Sequence, residues 1–302
     1  MDLNKDAQID TSQIEDRRGQ GGGGGLSGVP IPQPGGRGGW IVTIIALILV
    51  LAGGGVLGGN MLGDDGGSGD LDQKCAVSNP NRLDEPDCRS ALFVNSIQDY
   101  WQDNLPQTLG AQYQQAKTVF FSQAVNTGCG PADSAVGPFY CPPDSKVYID
   151  LTFYDELENR FGANGVFAQA YVLAHEYGHH VQNLVGTSDE VERARQRDPG
   201  NANALSVRLE LQADCYAGVW AKHATQTTDA SGRPLINSLS DADIKSALDA
   251  AAAVGDDTIQ KKTTGRIDES KFTHGTSAQR QKWFTTGYGG DPKACDTFTG
   301  AI

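Results

Sequence analysis

Two histidines and a glutamate in the stretch YVLAHEYGHHVQNLVG, residues 171–186, have the spacing of a metal-binding helix. His175 and His179 are four positions apart, so that on one helix both imidazoles can reach the same Zn²⁺. Glu176 lies beside the first histidine and faces the open side of such a metal, where it can take a proton from a water molecule. This HExxH arrangement predicts hydrolysis assisted by a zinc ion.

An HExxH pattern also occurs by chance on solvent-exposed helices, so its surroundings matter. The flanking positions here are apolar, which is typical of a buried helix and not of a solvated polar face. They are Val172, Leu173, Ala174 and Val181. Gly178 lies inside the pattern, where glycine costs a helix about 1 kcal/mol relative to alanine. We therefore expect another element to approach the helix closely at Gly178.

A catalytic zinc needs a third protein ligand and an open position. His180 is the nearest candidate, but it lies about 100° around the helix from His179, so we expect it to contact another element. The sequence ELQAD places Glu210 and Asp214 four residues apart in an apolar helix, where carboxylates are costly to bury unless they are paired or bind a metal. We predict Glu210 as the third ligand and Asp214 as the acceptor for the free ring N–H of a ligating histidine. The alternative is that both carboxylates pair with cations at the surface.

The helices that must position these residues are visible in the hydrophobic periodicity. Spacings of three and four predict a helix at about 163–184, which carries the HExxH pattern, and a second at about 203–223. A capping box of Ser240 and Asp243 predicts the start of a third helix. A short helix at about 277–286 follows the sequence THG.

Short strands are predicted upstream of the HExxH helix. Residues 90–105 have helical spacing, residues 116–125 have the composition of a strand, and residues 129–154 contain two strand-like runs separated by Gly and Pro turns. The order of these elements predicts an α+β fold. It would combine a small β-sheet with a long HExxH helix and further helices.

The first part of the chain differs in composition from the rest. Residues 20–39 are rich in Gly and Pro, and we interpret residues 1–39 as a disordered tail. Residues 40–63 are free of charge and long enough for a bilayer, which needs roughly 20 apolar residues in a helix. We predict a single transmembrane anchor there. A cleavable signal peptide with an apolar core at residues 40–51 is the alternative.

Charge predicts the orientation of this anchor. Arginines precede the span and several aspartates follow it, so the positive-inside rule favours a cytoplasmic N-terminus. Residues 64–88 would then form a juxtamembrane segment and residues 89–302 one extracytoplasmic domain. The whole chain has a formal net charge of −13, which disfavours nucleic acid as a partner.

All six cysteines follow the predicted span, and an even number confined to an exported region favours disulfides. They are Cys75, Cys88, Cys129, Cys141, Cys215 and Cys295. Fifteen pairings are possible. Proximity in sequence favours the first with the second and the third with the fourth, which leaves the last two together. A zinc site built from four cysteines is the alternative, although no CxxC spacing supports it.

Four motifs follow one another along the chain: GPFYCPPDSKVYIDL, HEYGHHVQ, ELQADCYAGVW and THGTSAQRQKWF. In this order they resemble the neutral zinc metallopeptidase family of membrane-anchored proteins. An EDRR sequence, a Gly-rich tail and one anchor add to the similarity, which covers residues 14–298. That family is similar to gluzincins, whose third zinc ligand is a glutamate on a following helix. The resemblance implies a zincin-like domain with Zn²⁺ bound by His175, His179 and Glu210, and Glu176 as general base.

The pattern ExxxD also resembles that of CAAX prenyl peptidases and HtpX-like membrane proteases. In those enzymes an HP-containing segment follows and ends in arginine, and here HGTSAQR, residues 274–280, occupies that place with Gly for Pro. The resemblance implies that His274 stabilises an oxyanion and that Arg280 holds a carboxylate. KVYIDL, residues 146–151, precedes the HExxH helix as the edge strand does in zincin folds, and we predict that it pairs with an extended peptide substrate.

The function that these features predict is a membrane-anchored zinc peptidase acting on peptide or protein substrates. One alternative is a catalytically silent, membrane-tethered zinc-binding protein. The presence of Glu176 argues against it, because a purely structural zinc site needs no general base. Another alternative is a zinc hydrolase that cleaves cell-wall peptide cross-links, which would be a variant in substrate only.

Overall fold

The structure, a computed structural model, describes residues 1–19 and 68–302. These residues form a mixed α+β fold, as predicted. The helices are α1 (Ser68–Lys74), α2 (Pro86–Thr108), α3 (Phe153–Asn159), α4 (Val166–Leu184), α5 (Thr187–Arg197), α6 (Ala202–His223), α7 (Asp241–Ala253), α8 (Asp256–Thr264) and α9 (Ser277–Gly287). The strands are β1 (Asp2–Leu3), β2 (Ile14–Asp16), β3 (Lys117–Phe120), β4 (Ala124–Thr127), β5 (Gly130–Asp133), β6 (Phe139–Cys141), β7 (Lys146–Ile149) and β8 (Ile236–Ser238).

The HExxH sequence lies in the middle of α4, which packs against α6, α7 and α2. A side chain at Gly178 would meet the backbone of Ala213 on α6, whose carbonyl oxygen is 2.8 Å from the position of a Cβ. This confirms the close approach predicted there. Helix α9 also packs against α6, and its Phe284 ring contacts Tyr171 of α4, so α4, α6 and α9 are mutual neighbours.

The predicted capping box begins α7, since the Ser240 hydroxyl accepts the Asp243 N–H and the Asp243 carboxylate accepts the Ser240 N–H. Helices α1, α3, α5 and α8 were not predicted. Their sequences are mostly polar, and α8 buries only Ile259 among its apolar residues, so no periodic pattern marks them.

The main sheet has the strand order β2-β3-β7-β6. Strands β2, β3 and β7 are parallel, whereas β6 is antiparallel to β7, with Phe139 opposite Tyr148. The prediction that Lys146–Leu151 forms an edge strand is wrong, because β7 is hydrogen-bonded on both sides. The edges are β2, from the N-terminus, and β6.

The prediction of a disordered tail over residues 1–39 is wrong for residues 1–19. Strand β1 pairs with β8 and strand β2 pairs with β3, while Ala7 and Ile14 are buried in the core. The Gly- and Pro-rich composition that prompted the prediction begins only at residue 20. Residues 1–19 contain enough apolar and hydrogen-bonding groups to pack against the domain.

Residues 68–88 also belong to the packed domain and do not form a separate juxtamembrane segment. Leu71, Cys75 and Cys88 are buried in the same core cluster as the helices. Three disulfides form with the predicted pairing, Cys75 with Cys88, Cys129 with Cys141, and Cys215 with Cys295. The cysteine-based zinc site is therefore excluded.

Among residues 1–19 and 68–302, no helix is both long enough and apolar enough to cross a bilayer. The anchor predicted for residues 40–63 lies outside the described residues.

Candidate metal centre

The structure brings together the three predicted metal ligands from two helices. Their ligand atoms all lie within 4.8 Å of one another. The Nε2 atom of His175 is 3.1 Å from Oε2 of Glu210, and Nε2 of His179 is 3.5 Å from Oε1 of the same carboxylate. Helix α4 supplies both imidazoles, one turn apart, and Gly178 between them lets α6 approach closely enough for Glu210 to reach them.

The separations of the Glu210 oxygens from the two imidazole nitrogens, 3.1 and 3.5 Å, fit a zinc ion. Zn²⁺ binds imidazole nitrogen and carboxylate oxygen at about 2.0–2.2 Å with tetrahedral geometry, which places neighbouring ligand atoms roughly 3.3 Å apart. The donor set of two imidazoles and one carboxylate is also that of catalytic zinc sites with an open fourth position. The residues present therefore fit the metal that the sequence predicts.

An ionic network holds the first histidine. Nδ1 of His175 lies 2.8 Å from Oδ1 of Asp214 and donates to it, because a carboxylate can only accept. Arg280 binds the same carboxylate through Nε at 2.7 Å and Nη2 at 2.9 Å, and the Tyr171 hydroxyl donates to it at 2.5 Å. Asp214 and Arg280 are fully or almost fully buried. The tautomer of His175 is thus set with Nε2 directed to the ligand cluster.

The second histidine is held by a neutral group. Nδ1 of His179 lies 2.8 Å from Oε1 of Gln182, one turn further along α4. Gln182 is completely buried and donates from Nε2 to the Leu209 carbonyl at 2.7 Å. Nε2 of His179 is thereby directed to Glu210.

Charge and burial compete at these groups. Burial alone lowers the pKa of a histidine, but the charge and hydrogen bond of Asp214 and the hydrogen bond of Glu210 outweigh it and raise the pKa of His175. Burial alone raises the pKa of a carboxyl group, but Arg280 and His175 hold the pKa of Asp214 at about 2. Burial also opposes ionisation of Glu210, but His179 and His175 hold the pKa of its carboxyl group well below the usual value. Asp214 and Glu210 are therefore both ionised and supply negative charge to the centre.

Glu176 lies next to His175 in sequence but is not one of the three residues whose ligand atoms cluster. It is 5% exposed, and burial raises the pKa of its carboxyl group above the usual value. A carboxylate with a raised pKa beside a metal site is suited to accept and then return a proton.

His274 reaches the site from the loop before α9, and its orientation is fixed by Asp256 at the start of α8. Oδ2 of Asp256 accepts the backbone N–H groups of Thr273, His274 and Gly275, and Oδ1 lies 3.1 Å from Nδ1 of His274. Nε2 of His274 is buried and has no hydrogen-bond partner among the described residues. A buried nitrogen without a partner is costly, which is typical of a group that meets a ligand.

A small cavity of about 90 Å³ connects these groups. Its polar wall is formed by His175, Glu176, Glu210, His274 and Arg280. Its other wall is apolar and includes Pro138, just before the edge strand β6, and aromatic rings from the α3 region. A larger depression of about 1240 Å³ lies between α5, α6 and the C-terminal residues, and the predicted metal ligands do not line it.

The remaining histidines lie away from the ligand cluster. His180 contacts the Tyr140 hydroxyl through Nδ1 at 2.9 Å and the Gln114 carbonyl through Nε2 at 2.6 Å, and burial lowers its pKa to about 4. His223 at the end of α6 stacks on Tyr100 and bonds the Gly290 carbonyl. Neither belongs to the group of residues that could hold a metal ion.

Three polar residues of the site were not predicted from the sequence. Asp256, Gln182 and Tyr171 each contact a predicted site residue. Gln182 and Tyr171 lie three and four positions from a ligand on the same helix, so their spacing was a usable signal. Asp256 precedes His274 by 18 residues, and nothing in the sequence connects the two.

Comparison with known proteins identifies the family of the chain. The family described as "Putative neutral zinc metallopeptidase" matches residues 3–298. The uncharacterized protein Rv2575 of Mycobacterium tuberculosis H37Rv is 51% identical over 235 residues, covering 77% of this chain and 76% of the relative. The uncharacterized protein YpfJ of Escherichia coli K12 is 40% identical over 295 residues, covering 97% of this chain and 98% of the relative. No solved structure matches the chain.

Proposed function

Because the chain belongs to the neutral zinc metallopeptidase family, we propose that it is a zinc-dependent peptidase of the gluzincin type, with a zincin-like domain. The observation that carries this proposal is the convergence of two imidazoles and one carboxylate beside a buried glutamate with a raised pKa. The metal ligands are His175, His179 and Glu210. Bound there, Zn²⁺ supplies a Lewis acid that polarises a carbonyl oxygen and lowers the pKa of a water molecule.

Glu176 is the general base and acid of the proposed reaction. Its carboxylate takes a proton from the attacking water and later delivers it to the leaving amine. Its burial supports both steps, since a raised pKa makes the carboxylate a better base and lets it hold the proton between them.

His274 stabilises the negative charge that develops on the carbonyl oxygen of the substrate. Nδ1 of His274 donates to the Asp256 carboxylate, because a carboxylate can only accept. Nε2 therefore donates to the oxyanion in the imidazolium form of the ring, whose positive charge faces Asp256. Arg280 acts indirectly, because its guanidinium holds the carboxylate of Asp214, as the resemblance implied.

The segment before the edge strand β6, and not β7, is the proposed contact for a peptide substrate. Gly137 and Pro138, immediately before β6, line the cavity beside His175 and Glu176. Strand β6 pairs with β7 on one side only, but all three of its residues are buried. It therefore offers no exposed edge for strand addition.

A catalytically silent zinc-binding protein remains the second candidate, and one variant separates it from a peptidase. Glu176→Gln in the full chain is expected to retain zinc and to slow cleavage of a complex peptide pool by roughly 10²–10⁴-fold. Glu158→Gln, at an exposed position of α3, is the matched control. If wild-type protein that contains zinc cleaves nothing, or if Glu176→Gln cleaves as fast as the control, the peptidase proposal is wrong.

We also propose that the domain lies outside the cytoplasm and is tethered at the membrane. Three disulfides support an oxidising compartment. The charge-free sequence of residues 40–63 supports the tether. The proposed partners are a membrane and a peptide or protein substrate, and the net charge of −13 disfavours nucleic acid.

A further inference from the structure

Three consecutive hydrogen bonds, called the relay below, lead from His179 through the side-chain amides of Gln182 and Gln212 to the backbone of Cys295. His179 donates from Nδ1 to Oε1 of Gln182 at 2.8 Å, and Gln182 donates from Nε2 to Oε1 of Gln212 at 3.1 Å. Gln212 donates from Nε2 to the carbonyl of Cys295 at 3.0 Å. All three hydrogen bonds are donated in the same direction, and the Cys295 carbonyl is the last acceptor.

The direction of this relay is determined by its acceptors. The carbonyls of Leu209 and Cys295 can only accept, so each requires the NH₂ end of the amide that faces it. This leaves Oε1 of Gln182 as the only amide atom that can face Nδ1 of His179. The proton of the imidazole must then lie on Nδ1, and the lone pair on Nε2 is available to a metal.

A disulfide anchors the end of the relay. Cys295 is joined to Cys215 on α6, and both are buried. Cys215 directly follows Asp214, the residue that orients His175. The same cross-link therefore adjoins the supports of both histidine ligands, although Cys295 lies 80 residues from Cys215 in sequence.

We propose that Gln182 and Gln212 are positioning residues that set the tautomer and orientation of His179, and that the Cys215–Cys295 disulfide holds the relay in place. The zinc affinity of the protein then depends on its C-terminal segment. This inference rests on the proposed function only in that His179 is taken to bind zinc, and it does not require that the protein cleaves peptides.

The test measures the zinc dissociation constant of the full chain by competition with a chromophoric chelator. Gln182→Met removes the acceptor for His179 and is expected to raise this constant by about 10–100-fold, the usual effect of removing an outer partner of a ligand. Gln212→Met is expected to raise it less, because the bond to His179 remains. Gln182→Glu retains the acceptor for His179 but loses the donor to the Leu209 carbonyl, so it is expected to lower Tm and still to bind zinc more tightly than Gln182→Met.

Gln98→Met is the matched control. Gln98 is also completely buried and hydrogen-bonded through its amide, to Gln13 and to the Ala116 N–H, but it lies away from the ligands. Its substitution is expected to lower Tm without changing zinc affinity. If Gln182 had only a structural role, Gln182→Met would likewise lower Tm without changing zinc affinity. The absorption spectrum of its Co²⁺-substituted form would then match that of the wild type.

The disulfide is tested by replacing its cysteines in pairs. Cys215→Ala with Cys295→Ala is expected to weaken zinc binding, whereas Cys75→Ala with Cys88→Ala should leave the affinity of the folded protein unchanged. If Gln182→Met folds and binds zinc like the wild type, the relay proposal is wrong. If zinc affinity responds as expected but no peptide is cleaved, the relay stands and the peptidase proposal falls. If the wild type binds no zinc, both fall.

A second inference concerns the N-terminal residues. The Arg82 guanidinium, which is buried, donates to the carbonyls of Lys5 and Ala7 at 3.0 and 2.5 Å. The side chain of Asn95 exchanges two hydrogen bonds with the backbone of Asp10 at 2.8 and 3.0 Å. With β2 as a strand of the main sheet, residues 1–19 are an integral part of the domain.

An ion pair strengthens this contact. Arg18 lies 2.9 Å from Oδ2 of Asp87, whose side chain is 1% exposed. Burial alone raises the pKa of Asp87, but hydrogen bonds from Arg18 and Lys74 outweigh it and hold the pKa below its usual value. Without the N-terminal segment, Asp87 would lose one of its two cations.

We infer that residues 1–19 and residues 68–302 lie on the same side of the membrane, whatever path residues 20–67 take. A chain that crossed the bilayer once would separate them by about 30 Å of hydrocarbon, and none of these contacts could form. The inference replaces the expectation of a cytoplasmic N-terminus opposite the domain.

The test uses the full chain in cell membranes with an epitope tag at each end. An impermeant protease is expected to remove both tags from the same side. In parallel, Arg18→Met should lower the Tm of the domain, whereas Lys5→Met, at an exposed position, should not. Removal of the two tags from opposite sides, or a Tm that does not respond to Arg18→Met, would contradict the inference.

Discussion

The two histidines of the proposed metal centre lie one turn apart on the same helix, yet they are supported in different ways. His175 donates to Asp214, an ionised carboxylate that also binds Arg280 and Tyr171. His179 donates to Gln182, a neutral amide in a chain of neutral groups. One ligand is thus embedded in a buried ionic network and the other in a buried amide relay.

The two kinds of support should contribute differently to the stability of the fold and to the orientation of the metal ligands. Loss of one member of a buried ionic network leaves an uncompensated charge, which costs about 3–5 kcal/mol. Loss of one amide leaves an unsatisfied neutral group, which costs about 1–3 kcal/mol. We therefore expect the His175 side to govern both unfolding and zinc binding, and the His179 side to govern mainly zinc binding.

Asp214→Ala should have the largest effect. It leaves Arg280 buried without its partner and frees the ring of His175. We expect the free energy of unfolding to fall by about 3–5 kcal/mol and zinc affinity to fall by about 100-fold, the upper end for an outer partner. Urea denaturation and chelator competition measure the two quantities. Asp249→Ala, which removes an exposed pair with Lys245, should cost at most about 0.5 kcal/mol, and equal costs for the two variants would contradict the comparison.

Arg280→Met should destabilise the fold by a similar amount but weaken zinc binding less. Asp214 loses its cation, which costs about 3 kcal/mol or more, yet its Oδ1 can still accept from His175. Zinc affinity is expected to fall by about tenfold, the lower end for an outer partner. A loss of affinity equal to that of Asp214→Ala would show that Arg280 itself orients the ligand.

Tyr171→Phe should have a smaller effect again. It removes one hydrogen bond to an ionised group, worth about 1.5–3 kcal/mol, and leaves both Arg280 and His175 on Asp214. Tm should fall while zinc affinity stays nearly constant. Tyr177→Phe, which removes buried bonds to two neutral groups, the Thr118 hydroxyl and the Ala116 carbonyl, is the matched control and should cost about 1 kcal/mol for each bond.

His180→Gln should have the smallest effect on zinc. His180 contacts Tyr140 and Gln114 on the side of α4 away from Glu210. Its replacement is expected to lower Tm slightly and to leave the zinc content at one ion per chain, whereas His179→Gln loses the metal because one of three ligands is removed. Metal analysis of the two purified variants decides between them, and loss of zinc from His180→Gln would contradict the assignment of the adjacent histidines.

Much of the centre could be predicted because its parts are local. The spacing of His175 and His179 places them on one helix face, and the same spacing pairs Glu210 with Asp214. The cost of burying a carboxylate indicated that both acids must meet cations or a metal. Gly178 marked the helix crossing because glycine in a helix needs a reason.

Other parts were missed because they depend on distant segments. The helix that begins at Asp256 has no apolar periodicity, so neither it nor its contact with His274 could be predicted. The strand order could not be predicted from the hydrophobic pattern either, because β6 and β7 are both short apolar runs and neither run indicates which strand lies at an edge. The folding of residues 1–19 was obscured by the Gly-rich sequence that follows them.

The sequence by itself determined the ligand types, their helical spacing, the need for a second acidic helix and the pairing expected of the cysteines. These follow from helix geometry, from the cost of burying charge and from proximity along the chain. Only the tertiary structure decided that β6 lies at the edge beside the site, that Asp256 orients His274, and that Cys295 ends the relay from His179. Those contacts join segments far apart in sequence, which are brought together by the packing of α4, α6 and α9 against one another and by the pairing of strands in the main sheet.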